Sequence, residues 1–186
     1  MGVRAQSAEQ THRKVLEAAI GLFGQRDYDD VALTDVAAAA GVTVQTVLRR
    51  FGSKEGLTEA ATALGVEDVT RARWDSAPGD IDAGLTNLHQ HYEAWGEKSL
   101  RFLAQEQRIP PMQRVTDAGR AVHYAWVEHV FGTRLAATPP ERRPRLRVQL
   151  IAVTDVYVWK IMRRDRGLDG ASTLLAMREL VAALLA

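Results

Sequence analysis

The sequence predicts an all-α fold, and three observations carry that prediction. Apolar stripes with helical spacing recur along nearly the whole chain. No segment alternates with period two for long enough to argue a strand. The breaks fall at Pro78-Gly79, Pro110-Pro111, Pro139-Pro140 and Gly167, where helices are expected to stop. With 186 residues there is room for a small N-terminal three-helix head, residues 1–57, and a larger C-terminal helical bundle, residues 58–186.

The elements follow in order. Ser7-Ala8-Glu9-Gln10 has capping-box spacing and predicts the start of a helix with Val15, Leu16, Ala19, Leu22 and Phe23 on one face. Asp27-Tyr28-Asp29-Asp30 ends it. Thr34 is placed to cap a second helix whose Val36, Ala37 and Ala40 share a side. Gly41 follows, where a left-handed backbone lets the chain leave a helix cheaply. Val42 plugs the angle, and Thr43 caps a third helix, 44–51, with Val47 and Phe51 facing inward. Ala37 is small enough for two helices joined so tightly to approach. Gln45, Thr46, Arg49 and Arg50 are left on the outside. Ser53 then caps a helix beginning Lys54-Glu55-Gly56-Leu57.

A helix–glycine–helix unit whose second helix is small at its start and basic at its end suits insertion into a DNA major groove. The alternative is a plain helical hairpin with Arg49 and Arg50 as a solvated face. Charge distribution favours the first reading. The head carries seven basic and seven acidic residues, yet 43–54 holds three basic residues and no acid. A local basic edge on a chain of net charge +1 suits specific docking better than indiscriminate coating of a polyanion.

In the bundle, Ile81, Leu85, Leu88, Tyr92 and Trp95 step along one helical face, and Gly96 is expected to bend or break that helix. Val115, Val122, Trp126 and Val130 form another stripe. The faces hold more rings than a minimal core needs, which suggests an apolar pocket with a few polar tips. Its candidate walls are Trp74, His89, Tyr92, Trp95, His123 and Trp126, with core packing as the plain alternative for each. Thr138-Pro139-Pro140-Glu141 reads as a capping box, although Pro144 could delay the regular helix. Leu146, Leu150, Val153, Tyr157 and Ile161 form one stripe of that helix. Asp169 or Ser172 starts a last helix with Leu174, Met177, Leu180, Val181 and Leu184. Helices apolar on more than one face predict a symmetric four-helix interface between two copies, through Val156, Trp159, Met177, Leu180 and Leu184, with a hydrophobic hairpin that closes the monomer's own core as the alternative.

Other classes are disfavoured. Without cysteine there is no disulfide framework, thiolate metal site or cysteine nucleophile. No phosphate-cradling loop, dinucleotide glycine pattern or nucleophile elbow occurs, so neither an enzyme nor a cofactor is expected. His89 and His91 point apart on a helix, as do His123 and His129, so no metal site is expected either. MGVRAQSAEQTHRK lacks the apolar core of a signal peptide, and no apolar run could cross a membrane. A cytoplasmic protein is the expectation.

The run KVLEAAIGLFGQRDYDDVALTDVAAAAGVTVQTVLRRFGSKEGL resembles the DNA-binding domain of the TetR family of bacterial transcriptional regulators. Ala18-Ala19, Leu22-Phe23, Ala40-Gly41-Val42-Thr43, Phe51 and Ser53-Lys54-Glu55 fall in register with it. Leu48 stands where the family usually has a phosphate-touching tyrosine, and Asp27 where a glycine usually closes the first helix. Aspartate tolerates the left-handed backbone that such a glycine would adopt. VYVWKIMRRDRGL also resembles a C-terminal segment of many members, in which these helices make the dimer.

The resemblance implies a homodimeric repressor, released from a palindromic double-stranded operator by a small-molecule effector. The two third helices would then sit about 34–36 Å apart, or a multiple of one DNA turn. Gln45, Thr46 and Arg49 are expected at base edges, with Val44, Leu48 and Arg50 on the same helix and Leu48 against a thymine methyl. Thr34, Thr43 and Lys54 are expected at phosphates, and Arg4 and Arg13 at the flanking backbone. The rival reading is a helical small-molecule-binding or adaptor protein that has lost DNA binding.

Overall fold

The computed structural model describes residues 3–186, with side chains from residue 6 onward, so the side chain expected of Arg4 lies outside the described residues. Among the described residues every regular element is helical: α1 (Val3–Gln25), α2 (Leu33–Ala40), α3 (Val44–Phe51), α4 (Lys54–Arg73), α5 (Ile81–Gln105), α6 (Pro110–Ala137), α7 (Arg143–Val153), α8 (Val156–Lys160) and α9 (Gly170–Leu185). A 3-10 turn, Tyr28–Asp30, follows α1, and a π-turn, Ile161–Asp165, follows α8.

Two compact units result. The first comprises 1–67 and 101–118, the second 68–100 and 119–186. This division differs from a cut at 57/58, because the loop between α5 and α6 supplies Ile109, and the first turn of α6 supplies Met112, to the core of the first unit. There they join Val15, Leu16, Ala19, Phe23, Tyr28, Val31, Val36, Ala37, Val47, Leu57 and Ala61. Gln105 fixes the arrangement by accepting the Tyr28 N–H at 2.8 Å. The second unit is built around Leu85, Leu88, Tyr92, Trp126, Phe131, Leu150, Trp159 and Met177, all buried.

Several boundaries depart from expectation for local reasons. Helix α1 already runs at Ser7, so Ser7 is no cap, and its carbonyl accepts the Thr11 hydroxyl at 2.8 Å. Asp27 has φ −64°, so no left-handed residue is needed where the family's glycine stands. Thr34 is the second residue of α2 and does not cap it. Asp35 reaches back to the Ala32 N–H at 3.2 Å instead.

Gly96 does not break α5. A Cβ there would lie 2.4 Å from the Trp159 ring, so this glycine opens a seat for one of the two buried tryptophans of the second core. Thr138 turns its hydroxyl back to Arg134 O at 2.8 Å, and α7 starts only at Arg143.

The stripe expected to run unbroken to Ile161 is cut at Thr154-Asp155. Thr154 Oγ1 donates to Leu150 O at 2.6 Å, and Asp155 caps α8 by accepting the Tyr157 N–H at 2.9 Å. The cut turns Tyr157 and Ile161 outward, to 50% and 52% exposure, while Leu146 and Leu150 stay buried. Asp169 caps α9 through the Ser172 N–H at 2.7 Å.

Gly96→Ala is expected to lower stability by about 1–3 kcal/mol in urea unfolding, because overpacking outweighs the helix-propensity gain. Gly119→Ala, a helical glycine with open space around it, should instead be neutral or gain up to ~1 kcal/mol in the same measurement.

Candidate functional site

The first unit ends α2 on Gly41, whose φ of 67° and ψ of 36° lie in the left-handed region. Gly41 N–H donates to Ala38 O at 3.2 Å and Val42 N–H to Ala37 O at 2.9 Å, which closes the exposed carbonyls of α2. The chain then turns into Thr43, whose Oγ1 accepts the Thr46 N–H at 3.2 Å and lies 3.0 Å from Thr46 Oγ1. Thus α3 begins with a satisfied cap. It ends at Gly52, φ 75°, whose N–H reaches Leu48 O at 2.8 Å. Ser53 Oγ accepts the Gly56 N–H at 3.1 Å and opens α4.

Only Val47 of α3 is fully buried, with Val44 and Phe51 packed partly against the same core and His12 of α1 stacked on Phe51 at 5.1 Å. Gln45, Leu48 and Arg49 are exposed, and Thr46 and Arg50 are half-buried. The apolar seam and the polar face therefore lie on opposite sides of eight residues. Among the described residues Arg49 makes no ion pair, so its guanidinium is available to a partner. Gly56 sits so close under the end of α3 that a Cβ would lie 2.2 Å from Phe51 O. A side chain at Gly56 would therefore collide with the backbone that ends α3.

The expected phosphate contacts are placed unequally. Thr34 and Thr43 are exposed near the starts of α2 and α3. Lys54 is half-buried, its ammonium bonded to the Tyr28 carbonyl and 4.0 Å above the Tyr28 ring. Burial pushes its pKa down. Arg13 is paired with Glu17 at 2.8 Å on the outside of α1. Arg26, missed by pattern reading, braces the start of α2 through Asp35 at 2.9 Å.

In the second unit, Tyr92, His123 and Trp126 come together around a residue the pattern did not single out, Arg73. Its guanidinium lies 4.7 Å from the Trp126 ring centroid, and Nη2 is 3.1 Å from His123 Nδ1. A guanidinium can only donate, so Nδ1 accepts and the neutral imidazole carries its proton on Nε2. That nitrogen is 3.3 Å from both Ile151 O and Thr154 Oγ1. Tyr92 completes the chain by donating to Thr154 O at 2.8 Å. Burial, then the Arg73 charge, push the His123 pKa down to about 3.

The other expected pocket residues lie elsewhere in the same unit. Trp74 tilts against His129 at 5.5 Å, Trp95 stacks on His91 at 6.5 Å, and His89 sits 3.6 Å from Glu93. Of the residues expected at a dimer interface, Val156, Trp159 and Met177 are buried inside the unit, so they offer no surface to a second copy. Trp159 Nε1 donates to Glu93 at 3.0 Å. Leu184 is half-buried, and Leu180 is exposed together with Tyr157, Ile161 and Leu175.

Among the described residues no cluster of His, Asp and Glu could hold a metal, and no helix is long and apolar enough to cross a membrane. Comparison with known proteins gives a consistent picture. A family model described as "Bacterial regulatory proteins, tetR family" matches residues 15–61. The HTH-type transcriptional regulatory protein RaaS of Mycobacterium tuberculosis is 27% identical over 164 residues, which is 80% of this chain and 70% of that protein. The HTH-type transcriptional repressor LfrR of Mycolicibacterium smegmatis is 35% identical over 89 residues, or 46% of each chain. A tetR-family transcriptional regulator from Streptomyces coelicolor shares the fold at TM-score 0.72 and 23% identity, covering 99% of this chain and 82% of that one. A transcriptional regulator from Saccharomonospora viridis, solved with choline, does so at TM-score 0.68 and 17% identity, covering 94% and 96%.

Thr43→Ala is expected to cost about 1 kcal/mol, with Thr43→Ser nearly neutral, in thermal unfolding followed by circular dichroism. His123 titrates lower in the folded than in the unfolded chain, so the unfolded state binds more protons as pH falls below 6.5. Stability should therefore decline from pH 6.5 towards about 3, and His123→Gln should flatten that decline in denaturant titrations.

Proposed function

We propose that this chain, which belongs to the TetR family of bacterial regulatory proteins and is a DNA-binding transcriptional regulator, works as a homodimeric repressor that a small molecule releases from a palindromic operator. The observation that carries the reading is the seating of α3. One side is held by Val47 and its neighbours, and the other presents Gln45, Leu48 and Arg49 to solvent beside an intact Thr43 cap.

On this reading Arg49 pairs with the O6/N7 edge of a guanine, Gln45 with an adenine, and Thr46 and Val44 line the groove floor. Leu48, 38% exposed, takes the position of a phosphate-touching hydroxyl and contacts a thymine methyl. Thr34 and Thr43 meet phosphates, where the backbone N–H groups of helix starts add attraction. Lys54 is the weakest of the expected phosphate ligands, since its ammonium already serves Tyr28.

Two copies are needed to read two half-sites. The exposed apolar residues Tyr157, Ile161, Leu175 and Leu180 support a pairing face on the C-terminal helices. The effector acts through chain continuity: α3 passes through Gly52 and Ser53 directly into α4, whose last residue is Arg73. A coupling of roughly 1–3 kcal/mol between effector and operator is typical of such linkage. Choline, held by the S. viridis regulator, is a poor guide to the guest here. Fold alone is shared, and this chain buries a cation where a second cation would be repelled.

Arg49→Ala should weaken binding to the operator found in this chain's own promoter region about tenfold or more in fluorescence anisotropy, as expected for loss of ~1–3 kcal/mol at one base pair. Binding within twofold of wild type would reject the groove assignment. Ile161→Glu combined with Leu175→Glu should convert dimer to monomer in sedimentation velocity, and an unchanged dimer would place the pairing face elsewhere.

A further inference from the structure

Arg73 is a buried cation without a counter-ion. It is 3% exposed, and among the described residues no carboxylate pairs with it. Its neighbours are the Trp126 face and the lone pair of a neutral imidazole. The Nε of Arg73 has no hydrogen-bond partner, and neither does the Nε1 of Trp126, which is also fully buried. Two N–H donors on stacked groups are therefore left unused in the middle of a hydrophobic unit. Donors left this way are costly and are rare in native proteins.

A structural role does not account for this arrangement. Arg73 is the last residue of α4, where a positive charge complements the helix dipole, but that gain falls far below the cost of removing a guanidinium from water. Two residues earlier, Arg71 meets the dipole from solvent and pairs with Asp68 at 3.2 Å. If only the dipole mattered, Arg73 could do the same. Instead it is anchored inward by the chain Arg73 Nη2 to His123 Nδ1, His123 Nε2 to Thr154, and Tyr92 to the Thr154 carbonyl. These bonds orient the guanidinium and leave its Nε–H unused.

We propose that Arg73 is the recognition residue for an anionic effector, specifically a monocarboxylate on an apolar body, with Arg73 Nε–H and the Trp126 indole N–H as donors to the carboxylate. Charge-assisted bonds to a carboxylate would satisfy both groups and neutralise the buried charge at once. The rings of Trp126, Tyr92 and His91 near Arg73 suit an apolar body. Because Thr154 lies in the break between α7 and α8, an anion drawing on Arg73 also pulls on the bonds that hold this break. The inference rests on the reading that the second unit holds the effector, and it narrows the effector to one chemical class.

The test uses the full-length protein and minimal probes. Acetate, chloride at matched ionic strength, and acetamide are compared by thermal unfolding, and 4-phenylbutyrate is compared with its neutral amide. Wild type should gain a few degrees in Tm from each carboxylate near ten times its dissociation constant, about what single-site linkage gives. Chloride and the amides should give none of that increment. Arg73→Met should fold at least as stably without ligand and lose the increment entirely, and Arg73→Gln serves as a second variant. Loss of indole fluorescence change on titration provides a readout independent of melting. The absence of a carboxylate-specific increment in wild type overturns the proposal, as does an equal increment in Arg73→Met. Operator binding, measured in parallel, separates the two claims. If carboxylates bind through Arg73 but leave operator affinity unchanged, effector release fails while the anion site stands. If no carboxylate binds while Arg49-dependent operator binding persists, the anion site fails alone.

Discussion

The seating of an eight-residue helix is the constraint on which the first unit depends. A helix of that length has no stability of its own in water. It exists here because Thr43 satisfies its first donors, Gly52 ends it, and Val47 locks one side into a core assembled from α1, α2, α4, α5 and α6. Val44, Val47 and Phe51 are spent on folding, and Gln45, Leu48 and Arg49 are left to a partner. The shallow anchoring and the function are two consequences of one packing arrangement.

The second unit follows a different logic. Its core is large and aromatic, yet it contains a line of polar groups running from Arg73 through His123 to Thr154. Each hydrogen bond on that line has a fixed direction, because the guanidinium cannot accept. A directed polar chain in an apolar medium is costly to build and sensitive to any charge brought near one end. Thr154 stands at the other end, at the point where α7 gives way to α8.

Much of the first unit was legible in the sequence because its signals are local. Gly41, Thr43, Val47 and Gly52-Ser53 act within a few residues of themselves, and the structure places them as the spacing suggests. Thr34 and Ser7 were misread for the same reason. Helix α2 begins a residue before Thr34, with the Ala32 N–H donating to Asp35, and α1 already runs at Ser7. The second unit was far less legible. Nothing in Thr70-Arg71-Ala72-Arg73 distinguishes the arginine that faces water from the one that is buried. Trp159 and Met177 looked like spare apolar surface, since the helices that cover them are remote in sequence. Gly96 resembled a hinge, and only Trp159 explains it.

One consequence concerns how such a head can change its address. Gln45, Leu48 and Arg49 contribute little to holding α3 in place, whereas Gly56 beneath Phe51 admits no side chain at all. The exposed side chains that the proposed reading assigns to the target are thus separable from the close approach beneath them. A lineage can rewrite the former freely, and a laboratory library can do the same, provided the latter is left untouched.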